Sequence, residues 1–468
     1  MIGWAPLFGI LAGCGPSGLD TSHRDSADKP PAEPPYSVFL ITVDTVRAEL
    51  LSPFYELDTT PNLAGFYDQA TTFTQATAPR GLTPVAMATF LTGFYPRSHG
   101  VREPLDLRGG WKGAVPLLAQ RFNDAGYDTH AFVSTWTSMA VGFDHTTVTP
   151  AGSREIPTVE TDLSLVKTAY NVIERTDRDT PVFVWVHLLT PHDPYEAAEP
   201  WFSERVDPDY RGLLYDDRGR IDTQLLSGVA LGNQVADEAD EAYLEAVYTS
   251  ELNQIDEQLG LLFGHLKKTG DWHDSVIAVG FDHGETLLER DDYAFHGCSL
   301  YEEVINVPFS FRAPGADEPR TIEAPVSTAD VAPTLIELAG LTWAGDRDGH
   351  SLASAIYDGV VPERDVFFSR VDSSIGIRRG DWKYVLAPGG TFNGCAPFET
   401  RREYRYEMPE QSLHDLATDP HERDNLVETE VEKAAELRAA ACAYVTSAPW
   451  SHDTQDDQNE LVTACTEG

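Results

Sequence analysis

Residues 37–44 read SVFLITVD and residues 275–285 read SVIAVGFDHGE. Each is a near-continuous apolar, β-branched run of strand length that ends in an acid. This is the pattern of strands covered on both faces, as in a parallel sheet flanked by helices. Residues 129–134 (THAFVS) and 182–188 (VFVWVHL) repeat it. Between and beyond them lie amphipathic stretches at 84–91, 114–125, 163–175, 241–268, 330–339 and 431–444. In the longest, Leu244, Val247, Leu252, Ile255 and Leu259 fall along one helical face. Alternation of this kind predicts an α/β fold with a mostly parallel central sheet over residues 37–360. After about Pro362 the pattern shortens to strand-like pieces at 365–368, 374–378 and 382–386, then a helix, which predicts a smaller α+β subdomain over 361–468.

The chain has 468 residues, with 34 Lys and Arg against 75 Asp and Glu, a formal charge of −41. With 41% hydrophobic residues it has ample material for a core, so disorder of the whole chain is excluded. A charge this negative repels phosphate backbones and anionic lipid, so no nucleic-acid partner is expected. The one apolar opening run, 1–13, is shorter than the ~20 residues a spanning helix needs. It ends Leu11-Ala12-Gly13-Cys14, which resembles a bacterial lipoprotein signal, although no basic residue precedes Arg24. Residues 14–36 are polar and Pro-rich, as in a solvated tether. The expectation is an extracytoplasmic protein whose only membrane contact is a lipid on Cys14. Cys298, Cys395, Cys442 and Cys465 show no metal-binding spacing; Cys442 and Cys465 are candidates for a bridge, and Cys298 reads as a buried thiol.

Ligands of open α/β sheets bind beyond the carboxyl ends of the strands. Asp44 and Asp282-His283-Gly284-Glu285 both stand at such ends, and buried carboxylates in one crevice need a cation. Between them, Thr83-Pro84 begins a helical stretch, with Thr83 as N-cap and Pro84 as first helical residue. A helix N-terminus also suits an anionic ester, and a hydroxyl there beside a divalent cation becomes a nucleophile.

These segments, taken in order, resemble the sulfatases of the alkaline-phosphatase superfamily. The resemblance rests on 38–50 (VFLITVDTVRAEL) with 58–63 (DTTPNL), on 83–93 with Tyr95-Pro96 and His99-Gly100-Val101, and on 186–195 (VHLLTPHDPY). It extends through 281–285 with Phe295-His296-Gly297 and 300–303, then 326–341 and 412–426. It implies that Asp44, Asp282, His283 and the Thr83 hydroxyl form the site of one divalent metal, with Thr83 also at the nucleophile position. It also implies that His192 and His296 contact the ester anion or the leaving oxygen. Arg47 belongs to the opening motif, as an anion contact or a structural ion pair.

The departures are specific. The family's nucleophile is a Cys or Ser in C/S-x-P-x-R that is oxidised to formylglycine; here Thr83, Val85 and Met87 stand in that motif, and Thr45 replaces the second acid of an Asp pair. Threonine is not a substrate for that oxidation, so its ester must be released by water or passed to an acceptor. The mixed N/O ligand set suits Mn²⁺ or Zn²⁺ as well as Ca²⁺. Arg80 is a candidate replacement for the missing arginine clamp. The leading expectation is a metal-dependent hydrolase of small-molecule or glycan sulfate esters. The alternatives are a phosphorus-ester hydrolase or head-group transferase with a Thr nucleophile, and an inactive protein that binds anionic glycans. Residues 201–240, acidic and poorly patterned, are expected to cover the crevice and set specificity.

Overall fold

The four apolar runs form adjacent strands at the centre of one eight-stranded sheet. In the computed structural model, residues 33–52, 58–103, 107, 111, 115–134, 139–149, 159–175, 179–196, 198–290, 293–370, 373–393, 405–447 and 457–467 are described. The leader, Cys14 and most of the tether lie outside them. The strands are β1 (Val38–Val43), β2 (Thr71–Phe73), β3 (Asp128–Val133), β4 (His145–Val148), β5 (Val182–Leu188), β6 (Val276–Phe281), β7 (Phe309–Arg312) and β8 (Arg320–Ile322). Their order across the sheet is β4-β3-β5-β1-β6-β7-β2-β8, and β7 alone of the eight runs against the rest. The four runs read from sequence are the long inner strands; the short outer ones carry too little pattern to be read.

Period-two alternation sends successive side chains of β1 into two different cores. Phe39, Ile41 and Val43 join one, which is covered by α2 (Val159–Ile173) and α3 (Glu238–Thr269); Val38 and Leu40 join the other, covered by α1 (Thr83–Thr92) and α4 (Val331–Leu338). The 32-residue α3 starts earlier than expected because Asp237 accepts hydrogen bonds from the N–H groups of Ala239 and Asp240. The stretch expected as a helix from 114 is helical only over Leu118–Asp124, after Pro116, and Gln120 accepts from the Leu117 N–H. Within 201–240, helices form at Trp201–Arg205 and Thr223–Ala230, the second capped by Asp222.

Past the main sheet, β9 (Val366–Phe368), β10 (Ile375–Arg379), β11 (Trp382–Leu386) and β12 (Gln411–Asp415) form an antiparallel sheet in that order. α5 (Val431–Thr446) packs Leu437, Ala441 and Val445 on it. A second helix, Asp457–Glu467, was not legible in the sequence; the Cys442–Cys465 disulfide joins it to α5. Cys298 is also disulfide-bonded, which corrects its reading as a thiol.

Candidate active site

β1 runs between β5 and β6, with Val43 level with both Leu188 and Phe281. The next residues on β1 and β6, Asp44 and Asp282, therefore leave the sheet side by side, and both are fully buried. Thr45 turns the chain at φ 58°, a left-handed conformation costly for a β-branched residue. Its groups hold both acids: its N–H donates to Asp282 Oδ1 (3.0 Å) and its hydroxyl to Asp44 Oδ1 (2.6 Å), while Tyr248 donates to its carbonyl (2.6 Å). The His283 N–H donates to the same Asp282 Oδ1 (2.7 Å). Asp282 Oδ2 is left buried with no hydrogen-bond partner.

His283 Nδ1 lies 2.9 Å from the Gly284 carbonyl, so Nδ1 carries the proton and the Nε2 lone pair faces inward. Burial, reinforced by nearby His296, pulls His283 down to about 3 and keeps it neutral. Burial would push Asp44 up, but His187, His192 and His283 hold it well below the usual carboxylate range. Asp282 lies well above that range, because burial and the Asp44 charge both oppose its ionisation.

Thr83 is the first residue of α1, and Leu82 is its N-cap, so the expected capping role is corrected. The Thr83 hydroxyl instead faces Asp44, 3.3 and 3.2 Å from its two oxygens, and lies 3.2 Å from His283 Nε2. The preceding turn needs Gly81: a Cβ there would meet Val304 Cγ1 at 2.2 Å and the His296 carbonyl oxygen at 2.8 Å. Close backbone approach thus seats Thr83 beside the His296 loop.

Two further histidines, His192 and His296, stand beside this cluster and keep part of their side chains accessible, 25% and 12%. His192 and His296 have ring centroids 5.2 Å apart, and His296 lies 4.3 Å from the ring of His283. Burial lowers the His192 pKa, but Asp193, Asp44 and Glu285 outweigh it and bring it up to about 9. His296 Nδ1 is 3.0 Å from Glu285 Oε1, whose other oxygen accepts from Tyr195 (2.8 Å). Asp162 on α2 anchors the loop that carries His192, accepting from the N–H groups of Leu189 (3.1 Å) and Thr190 (2.9 Å).

His187 and Tyr195 had not been singled out as site residues, and Glu285 had been noted only within the acidic segment at the end of β6, without a role. His187 is buried on β5 with Nε2 3.7 Å from Asp44 Oδ2 and unpartnered; Nδ1 is 2.9 Å from the Thr42 hydroxyl. The signal for it was a histidine one residue before the end of a buried apolar strand, which the sheet sets level with Thr42 on β1. Arg47 pairs with Glu289 (2.9 Å) and Glu49, and Arg80 pairs with Glu103 (3.0 Å) and the Arg102 carbonyl. Both guanidinium groups are thus engaged by the protein's own acceptors.

The donor atoms of Asp44, Asp282 and His283 lie within 4.8 Å of one another. An orphaned carboxylate oxygen, an inward imidazole lone pair and two adjacent buried acids fit one divalent cation.

The Sulfatase family model matches residues 37–341. The chain belongs to the sulfatase family. Choline-sulfatase from Rhizobium meliloti (strain 1021) is 24% identical over 90% of this chain and 88% of its own length. N-acetylglucosamine-6-O-sulfatase from Bacteroides thetaiotaomicron is 21% identical, over 84% of this chain and 82% of its own. Among solved structures, the phosphonate monoester hydrolase of Agrobacterium radiobacter aligns with TM-score 0.65 at 21% identity, covering 87% of this chain and 96% of that one. A structure in complex with its substrate D-glucosamine-2-N,6-O-disulfate aligns at 0.69 and 18% identity, covering 90% and 100%. This sulfatase-family hydrolase thus has the alkaline-phosphatase-like fold read from its sequence. Among the described residues no helix is long and apolar enough to cross a membrane.

Proposed function

We propose that this sulfatase-family chain hydrolyses sulfate esters of a small molecule or glycan with Thr83 as nucleophile and without formylglycine. The carrying observation is that the Thr83 hydroxyl is not spent on capping α1 and sits within 3.3 Å of both Asp44 oxygens and His283 Nε2. A divalent cation on Asp44, Asp282 and His283 would supply positive charge that acidifies the hydroxyl and balances the transferred anion. Thr83 Oγ1 attacks the sulfur, its proton leaving by way of the Asp44 carboxylate. The Thr–O–S bond forms as the bond to the alcohol breaks, and the alcohol oxygen takes a proton from His192 Nε2. His296, held by Glu285, contacts the anion. Water, giving a proton to the now neutral His192, then attacks the same sulfur; the Thr–O–S bond breaks, Thr83 Oγ1 takes its proton back from Asp44, and sulfate leaves.

Phosphorus esters are the second reading, favoured by the unoxidisable Thr83 and by the likeness to a phosphonate monoester hydrolase. Location outside the cytoplasm is supported by the disulfides at Cys298 and between Cys442 and Cys465; a lipid on Cys14 rests on the Leu11-Ala12-Gly13-Cys14 sequence alone. The test is turnover of matched nitrophenyl sulfate, phosphate, phosphodiester and phosphonate esters by wild type and Thr83→Ala, with metal content read on both. We expect Thr83→Ala to lose on the order of 10⁴-fold or more in kcat/KM, with its metal retained. Faster phosphorus-ester turnover would select the second reading, and an active Thr83→Ala would remove the nucleophile assignment.

A further inference from the structure

A second set of ligand-type side chains lies toward one edge of the sheet. Asp128 and His130 are two residues apart on β3 and share a face; His145 stands level with His130 on the outermost strand, β4. His130 Nε2 is 3.0 Å from Asp128 Oδ2, and His145 Nε2 is 3.3 Å from Asp128 Oδ1. The two imidazoles stack with centroids 4.6 Å apart, and the three donor atoms lie within 4.8 Å of one another.

Hydrogen bonding does not account for this convergence. His130 is 7% exposed, yet its Nε2 has no hydrogen-bond partner despite a carboxylate oxygen 3.0 Å away. The distance is short enough, but the angle at the ring nitrogen is not that of a hydrogen bond. His145, with its side chain 62% exposed, leaves that position open to solvent.

We propose that Asp128, His130 and His145 form a second divalent-cation site, separate from the active centre. Two imidazole nitrogens and one carboxylate, with a coordination position left for water, match the ligand preferences of Zn²⁺. The site begins at the amino end of β3, whereas Val133 at the carboxyl end is the residue level with His187. Occupied, it cross-links the four-residue edge strand β4 to its neighbour.

The test is zinc stoichiometry after dialysis at fixed free zinc, on wild type, His145→Ala and Asp128→Asn. Neither variant touches the active centre, and the exposed His145 can be removed without disturbing the core. We expect wild type to hold one more equivalent of zinc than either variant, with ester turnover unchanged in His145→Ala. Equal zinc in all three proteins would overturn the proposal, as would loss from Asp128→Asn with none from His145→Ala.

Discussion

Asp44, Asp282 and His283 stand just past the ends of two central strands, with no exposed surface, whereas Asp128, His130 and His145 project from within two outer strands and keep one imidazole in solvent. The ligand types are nearly the same, but the electrostatic situations are opposite. In the centre both carboxylates are shielded from bulk water, so ionising both is unfavourable without a cation, and the metal-free protein keeps a carboxyl oxygen without a partner at its core. At the edge, water satisfies whatever a metal does not, so occupancy adds stability without being needed for the fold. Burial, more than ligand identity, decides whether such a cluster is obligatory.

The largest test of this contrast is Asp282→Asn. The amide keeps Oδ1 to accept from Thr45 and His283, and its NH₂ replaces the oxygen that has no partner. Turnover should fall on the order of 10⁴-fold with loss of the central metal. In chelator, however, the variant should be more stable than wild type by about 1–3 kcal/mol, since its uncharged NH₂ can donate to the His283 Nε2 lone pair, 3.5 Å from that position, where the carboxylate oxygen has no donor. A lower melting temperature in chelator would show that the apo centre is not under electrostatic stress.

The next effect concerns His192, which shares the centre but lies nearer solvent. Burial lowers its pKa, and the surrounding carboxylates more than offset that, raising it from 6.5 to about 9. The acid form is therefore present at neutral pH and is lost as pH rises through about 9. Wild-type kcat should fall there, and His192→Asn should lose about 10²–10³-fold and lack that alkaline limb. The loss should be greater for alkyl esters than for nitrophenyl esters, whose leaving groups need no proton. An unchanged alkaline limb in the variant would reassign the acid.

Glu285 is a smaller case. It touches no reacting atom in the proposed chemistry; it orients His296 and is itself fixed by Tyr195. Glu285→Gln should lower kcat about tenfold, the scale of orienting partners, with metal content unchanged. Loss of metal along with activity would place Glu285 in the cation's support instead.

The centre and the edge also differ in how legible they are. The inner strands and Asp44, Thr83, Asp282 and His283 could be read because each follows a long apolar run or opens a helix, and the family motifs set them in order. The hydroxyl of Thr83 was misread as a cap because sequence places a Thr-Pro pair at a helix start without saying where its side chain turns. His187 was hidden inside an apolar strand; only the register β5-β1-β6 brings it to Asp44. Asp128, His130 and His145 carry no motif at all. His145 is 15 positions from His130, and nothing but parallel pairing in register makes them neighbours.

That dependence on register alone gives the smallest prediction. β4 stays attached to β3 by its backbone ladder whether or not a metal bridges the side chains, and His145 is largely exposed. His145→Ala should therefore change metal-free stability by no more than about 0.5 kcal/mol. To keep the active centre out of the measurement, the comparison belongs in the Asp282→Asn background. There, zinc at a hundredfold excess over Kd should raise stability by about 2.7 kcal/mol when His145 is present and by none when it is Ala. Equal zinc responses in the two proteins would mean that the edge cluster, for all its convergence, is held by the sheet and not by an ion.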